Sequence, residues 1–370
     1  MALQMAVSVK CLAVALAGLM LGACAGGAKS PDANFPGVVW VTADAMNPRG
    51  HDALDLAVSR LPTQSMIVVK DGAVVYSYGD IARTEGTYLA SVRKSILSMM
   101  YGDAVAAGVI DLDASLADLG VDDVGGLTDT EKSATVRDLI SARSGIYHPA
   151  SNDSGVTEEG PARGDHRPGT YYWYNNWDFN AAGGVYELAI GANIYDAFNR
   201  LLARPLEMQD FDLAAHLENG KGGDLTKSRF PAYHFYLSTR DAARLGVLML
   251  NHGRWGGAQI IPADWVAQSV SKITPNAEMN PPAYRDSGFA YGYMWWVFDP
   301  KHFPPAFDGA YIARGHFGQY ILVLPASGVV IAHKTLPASY ETPEEYEAVN
   351  VTWDEFRTLV DLALAALERG

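Results

Sequence analysis

Cysteine is nearly missing from this chain: 370 residues hold two, Cys11 and Cys24, both close to the start. Removal of an N-terminal leader therefore leaves one thiol at most, which excludes an internal disulfide framework. No His-Glu-x-x-His and no paired Cys/His spacing occurs, so the ligand patterns of a zinc site are missing and no metal or cofactor is expected. Positive charge is in deficit, with 28 Lys and Arg against 42 Asp and Glu and a formal net charge of −14. Such a balance argues against nucleic acid as a partner and says nothing of chemistry. There is no internal repeat, and no low-complexity segment beyond the first thirty-odd residues. Residues 11–23 form an apolar run of thirteen, too short to span a bilayer as a stable helix.

What is present begins with that run. One lysine, Lys10, precedes it, and Leu21-Gly22-Ala23-Cys24 ends it. A short apolar segment of this kind suits a secretory leader. Its ending resembles a bacterial lipobox, which implies cleavage before Cys24 and lipid attachment there. The expected organisation is a signal peptide over 1–23, a flexible tether over 24–35 (AGGAKSPDANF after the cysteine) and one domain over 36–370. The expected location is an exported protein held on a membrane by its lipid, facing the periplasm or the cell exterior. With 49% hydrophobic residues the domain has enough apolar material for a large core, which an exported chain without disulfides needs.

Along the domain, His51–Arg60 has helical spacing. Ser65–Val69 and Ala73–Tyr78 read as strands joined at Lys70-Asp71-Gly72, a hairpin turn that needs positive φ. Helical patches follow at 91–107, 136–141, 181–189, 194–202 and 239–250. Sheet character returns at 291–298, 319–324 and 329–333. Thr352-Trp353-Asp354-Glu355 is a capping box that opens a last helix with Trp353, Phe356, Leu359, Val360, Ala363 and Leu367 on one face. The economical architecture is α+β: 36–90 and 289–370 join as an antiparallel sheet flanked by terminal helices, and 91–288 forms a mostly helical inserted region. Residue 91 then stands at the junction, where clefts lie.

Ser91-Val92-Arg93-Lys94 places a serine and a lysine three apart, on one face of a helix that is apolar almost all round. A lysine buried there must find a partner or lose its proton, and a deprotonated lysine beside a hydroxyl makes a nucleophile. The pattern alone is common, and Ser269–Lys272 repeats it. Two further segments matter. Tyr174-Asn175-Asn176 offers a phenol that relays a proton, its pKa lowered by a nearby cation, and an amide for lysine or substrate. Arg314-Gly315-His316-Phe317-Gly318-Gln319 precedes a strand whose edge can supply an N–H to an oxyanion, with Gly318 allowing close approach.

Ser-x-x-Lys, then Tyr-x-Asn, then His-x-Gly, in that order, resembles the serine β-lactamase and penicillin-binding-protein superfamily, in particular its class C-like esterases, D-aminopeptidases, DD-peptidases and nylon-oligomer hydrolases. The segments VRDLI, LSTRDAARLGVLMLNHGRWGGAQIIPADWV and YGYMWW agree with it, and the resemblance runs over residues 50–368. It implies a β-lactamase/transpeptidase-like fold. It also implies Ser91 as acylated nucleophile, Lys94 as its base, Tyr174 as proton relay, Asn176 as the amide touching lysine and substrate, His316 in the place often held by the lysine of Lys-Thr-Gly, and Gln319 as the second oxyanion donor. Ser269–Lys272 falls after the tyrosine motif and is set aside, as is Lys334-Thr335, which Leu336 follows where glycine is needed. His316 in place of lysine favours an ester- or amide-cleaving serine hydrolase acting on a small molecule or short peptide. The alternatives are a β-lactamase, a DD-peptidase or D-aminopeptidase on cell-wall-type peptides, or a non-catalytic penicillin-binding-like protein. His148 and His166 read as structural loop histidines. Of Trp173, Trp177, Trp295 and Trp296, one or two are expected to touch substrate.

Overall fold

The computed structural model describes residues 35–86, 88–152, 160–336 and 341–368. The leader and the Cys24 attachment point lie outside them. Within them no helix is long and apolar enough to cross a membrane.

A seven-stranded antiparallel sheet organises the chain. Its strands are β1 (Thr63–Lys70), β2 (Ala73–Gly79), β3 (Phe289–Tyr291), β4 (Trp296–Phe298), β5 (Tyr311–Gly315), β6 (Gln319–Leu324) and β7 (Val329–Thr335), ordered β2-β1-β7-β6-β5-β4-β3. The two ends of the sequence thus meet where β1 pairs with β7, Val68 opposite Ile331. Asp71 and Gly72 both have positive φ, 49° and 81°, as the two-residue turn between β1 and β2 requires. The 291–298 stretch is not one strand: Gly292 N–H donates to the Trp295 carbonyl, and the chain reverses there into the β3–β4 hairpin.

Alternation along the strands sorts two cores. Met66, Val68, Leu322 and Ile331 face helix α1 (Pro48–Val58) and the C-terminal helix α6 (Trp353–Leu367), meeting Leu54, Val58, Phe356 and Leu359. Ile67, Val69, Ile321 and Val330 face the other way, into the larger core. Central strands buried on both faces explain why the sequence shows continuous apolar runs there rather than alternation. The Thr352–Glu355 capping box forms as expected.

The larger core joins the sheet to helices α2 (Val92–Ala106), α3 (Asn176–Ile190) and α4 (Thr239–Leu250). α4 lies directly on β1, β6 and β7, so part of the segment expected to be an inserted region covers the sheet itself. α2 is buried on nearly every side, in keeping with its unpatterned apolar sequence, and its N-terminus meets β5. A short helix, α5 (Pro343–Val349), acidic and without apolar period, precedes α6.

Candidate active site

Ser91 caps α2 in the αR conformation, immediately after Ala90 at φ +48°. A non-glycine residue in that region is strained, and here the bend turns the serine out of the core toward open space. The Ser91 N–H has no protein acceptor among the described residues. Lys94, one turn on, is 1% exposed, its Nζ 2.9 Å from Ser91 Oγ and donating to Tyr174 OH at 2.6 Å. The faces of Tyr174 and Phe179 cover it at 4.2 and 4.7 Å. Burial lowers the Lys94 pKa well below the usual lysine value, and the charge of Arg93 lowers it further. Both causes favour the neutral amine, whose lone pair would lie beside the hydroxyl.

Tyr174 departs from expectation in one respect. Burial pushes its pKa up to about 12, despite the opposing hydrogen bond with Ser91 and the Arg93 charge. At that value Tyr174 is a phenol rather than a phenolate near neutral pH.

The surrounding cleft has a volume of about 860 Å³ and is lined near its reactive end by Ser91, Tyr174, Trp296, Gly315, His316 and Gly318. β5 supplies the wall beside the nucleophile. Gly315 lies so close to the turn before Ser91 that a Cβ there would stand 2.4 Å from the Leu89 carbonyl oxygen. His316 follows, half-buried and stacked on Tyr346 of α5 with ring centroids 5.1 Å apart, and burial lowers its pKa. It is a neutral imidazole at pH 7, not a fixed cation. Gly318 also lines the cleft, but its φ of +88° and the Val351 carbonyl 2.6 Å from a would-be Cβ tie the glycine to packing against the C-terminal segment.

Two expected residues are placed elsewhere. Gln319 is 0% exposed and is not part of the cleft lining, and its side-chain amide donates to Thr335 in the neighbouring strand, so the residue is turned away from a substrate. The cleft-lining backbone beside Ser91 is instead Gly315–His316, three residues earlier. Asn176 starts α3, outside the cleft lining, and the hydrogen-bond partners of Lys94 are Ser91 and Tyr174 rather than this amide. The second Ser-x-x-Lys copy comes apart: Ser269 is buried on its own helix turn, and Lys272 pairs with Asp299 at 3.3 Å. Lys334 is buried in β7, donating to the Leu237 carbonyl. His148 sits in the interior 3.6 Å from Asp123, and His166 stacks on Tyr171. Of the four tryptophans considered, Trp296 lines the cleft. Sequence reasoning missed Trp353 and Tyr346, whose aromatic character was legible but whose position was not.

A Beta-lactamase family model matches residues 53–335. Similar solved structures include a Bacillus anthracis protein assigned as a 6-aminohexanoate-dimer hydrolase, 16% identical, with a TM-score of 0.62 over 91% of this chain and 88% of that one. A penicillin-binding-protein homologue from Caulobacter crescentus is 13% identical, with a TM-score of 0.57 over 85% and 98%. EstCE1, a hydrolase with promiscuous acyltransferase activity, is 16% identical, with a TM-score of 0.56 over 84% and 97%. At such identities the structures testify to the fold alone. No curated protein matches the chain. The family match, however, spans most of the sequence and contains both Ser91–Lys94 and Tyr174: this chain belongs to the beta-lactamase family.

Proposed function

We propose that the protein is a serine hydrolase that cleaves an ester or amide bond through an acyl-enzyme on Ser91. The observation that carries this is the contact of a buried Lys94, its pKa lowered by burial, with both Ser91 Oγ and Tyr174 OH. Lys94 Nζ accepts the Ser91 proton as Oγ attacks the substrate carbonyl carbon. The resulting oxyanion is held by the Ser91 N–H together with the backbone N–H at the β5 end, which we place at His316 in preference to Gln319. The proton on Lys94 passes through Tyr174 to the leaving oxygen or nitrogen as the carbonyl re-forms. Water then attacks the acyl ester, losing its proton toward the same pair, and Ser91 is regenerated.

An esterase or amidase is favoured over a β-lactamase because the neutral His316 stands where a permanent cation would hold the carboxylate of a β-lactam. Attachment to a membrane through lipidated Cys24 is part of the proposal, supported by the Leu-Gly-Ala-Cys ending of the leader. A fluorophosphonate probe should add one adduct to the folded protein at Ser91 and none to Ser91→Ala. Absence of labelling on folded wild-type protein refutes the acyl-enzyme. Efficient cephalosporin hydrolysis with poor turnover of short esters reverses the preference within the family.

A further inference from the structure

Beyond the reacting pair the cleft continues along β5 toward the start of α6, and Arg314 stands in this extension. Its guanidinium lies over three rings that line the same cleft: Phe289 at 4.9 Å, Trp296 at 5.2 Å and Trp353 at 5.8 Å. Most arginines of this chain found near a carboxylate are bound to it, as Arg163 is to Glu131 and Arg240 to Asp210. Arg314 has no ion pair and no hydrogen bond among the described residues. Stacking fixes the plane of a guanidinium but satisfies none of its five N–H donors. The side chain is part of the lining of a large cleft. The acids of the lining, Asp286 and Asp354, are exposed, and neither forms an ion pair among the described residues. The other arginine of the lining, Arg357, is engaged with Asp361 at 3.7 Å. The charge reaches the reactive end, since Arg314 contributes to holding the Tyr174 pKa down against burial.

We propose that Arg314 is a specificity-determining residue, its ring-held guanidinium docking a carboxylate carried by the substrate at a distance from the scissile carbonyl. The inference rests on the hydrolase reading above and names the substrate class: an ester or amide with an apolar body and a remote carboxylate. The apolar body lies along Trp296 and Phe289, and the carboxylate meets the fork of N–H donors in bidentate fashion.

The test uses a pair of probes, mono-4-nitrophenyl glutarate and its methyl ester, which differ by one negative charge at nearly constant shape. Wild-type protein should release nitrophenolate from the acid with a kcat/KM about ten- to hundredfold above that for the methyl ester, the range of a charge-assisted pair. The preference should shrink as salt is raised. Arg314→Gln should collapse the ratio toward one, and Arg314→Lys, which keeps the charge without the fork, should fall between. A wild-type ratio at or below one overturns the proposal without any variant, and so does an unchanged ratio in folded Arg314→Gln. Binding separates this inference from the hydrolase reading. Trp296 and Trp353 fluorescence of Ser91→Ala should respond to glutaranilic acid and not to its methyl ester, and the response should vanish in Ser91→Ala/Arg314→Gln. If neither ester is turned over but this binding difference holds, the hydrolase reading fails and the carboxylate site stands; equal binding of both anilides sinks the site.

Discussion

Gly315→Ala should disable the enzyme while leaving every reacting side chain in place. The backbone at Gly315 is extended, φ −123° and ψ 156°, so alanine meets no conformational penalty and the effect is one of space. The added Cβ would lie 2.4 Å from the Leu89 carbonyl oxygen, 2.9 Å from Gln319 Cβ and 3.2 Å from Ala90 Cβ. Nothing on that list is the tip of a flexible side chain. Relief requires the end of β5 and the Leu89–Ser91 turn to part by about 1 Å, since attraction turns to steep repulsion well before 3 Å. Overpacking of this kind costs about 1–3 kcal/mol. The same 1 Å separates the Ser91 N–H from the strand that completes the oxyanion site, a displacement that typically costs about a hundredfold in rate.

Thermal unfolding and fluorophosphonate labelling, read on the same preparation, check both effects. Gly315→Ala should melt several degrees below wild type and acylate about a hundredfold more slowly. Gly37→Ala is the control: its Cβ has nothing within 4 Å, so both readings should stay at the wild-type level. If Gly315→Ala keeps the wild-type melting point and labels within about threefold of wild type, β5 does not form the wall of the reacting site and the placement of the second oxyanion donor is wrong.

Four other outcomes follow from the same arrangement. Lys94→Met should abolish labelling at Ser91 while moving stability by no more than about 1–2 kcal/mol, because the freed Tyr174 hydroxyl offsets the amine no longer desolvated. In wild type the labelling rate should rise with pH through the lowered Lys94 pKa and level off below 10.5, with no fall attributable to Tyr174 until about pH 12; a rate still climbing tenfold per pH unit up to 10.5 contradicts a neutral lysine. Asp123→Asn should cost about 2–4 kcal/mol in urea unfolding, since the buried carboxylate accepts from Ser228, Trp177 and the Arg229 and Val124 N–H groups. Burial pushes the Asp123 pKa up but those bonds prevail and lower it, so its contribution is present above the unfolded value and lost as pH falls through the folded one. Lys334 is driven down to about 7 by burial; between there and 10.5 the unfolded chain binds more protons, wild-type stability rises with pH, and Lys334→Met should flatten that slope in urea midpoints at pH 7.5 and 10.

Local chemistry was the legible part of the fold. Asp71-Gly72 and the Thr352–Glu355 box each specify a backbone geometry by themselves, and both form. The run over β6 and β7 was legible because those strands are buried on both faces. β5 was not read as a strand, since Arg314, Gly315 and His316 interrupt its apolar character. The oxyanion assignment to Gln319 came from the family resemblance, as the residue after His-x-Gly, with no strand at 311–315 to set beside it. Gln319 does start β6, opposite Gly315 at the end of the β5–β6 hairpin, but it is buried there and its side chain is turned to Thr335. Asn176 failed for a related reason: spacing fixes its place on α3, while the partner of Lys94 is decided by how α2 and α3 pack. Arg314 and Trp353, far apart in sequence, become neighbours only through the sheet and α6, and no periodicity connects them.

The pair at the centre of the site poses an electrostatic question, because Arg93 and Lys94 are adjacent basic residues, both almost wholly buried, with no carboxylate bound to either among the described residues. Arg93 cannot give up its proton. It is held by Asn180 Oδ1 at 2.6 Å and by the face of Tyr233 at 4.4 Å, both neutral partners that leave its charge uncancelled. Asp178, an acid buried in α3, is itself pushed well up by burial and accepts from Ser144 rather than from either cation. Of these groups, Lys94 is the one whose charge can yield, and two causes act on it in the same direction: the apolar cage of Tyr174 and Phe179, and the permanent charge next door. A carboxylate in place of Asn180 would stabilise the fold's buried charge and lock Lys94 as an ammonium with no lone pair for Ser91. An unneutralised arginine favours the free-amine form of the lysine and makes it a weaker base. It also makes the proton taken from Ser91 costly to keep. In the proposed acylation, Tyr174 OH, 2.6 Å away, is the route by which that proton would pass on to the leaving group, so the same charge would serve both halves of the step.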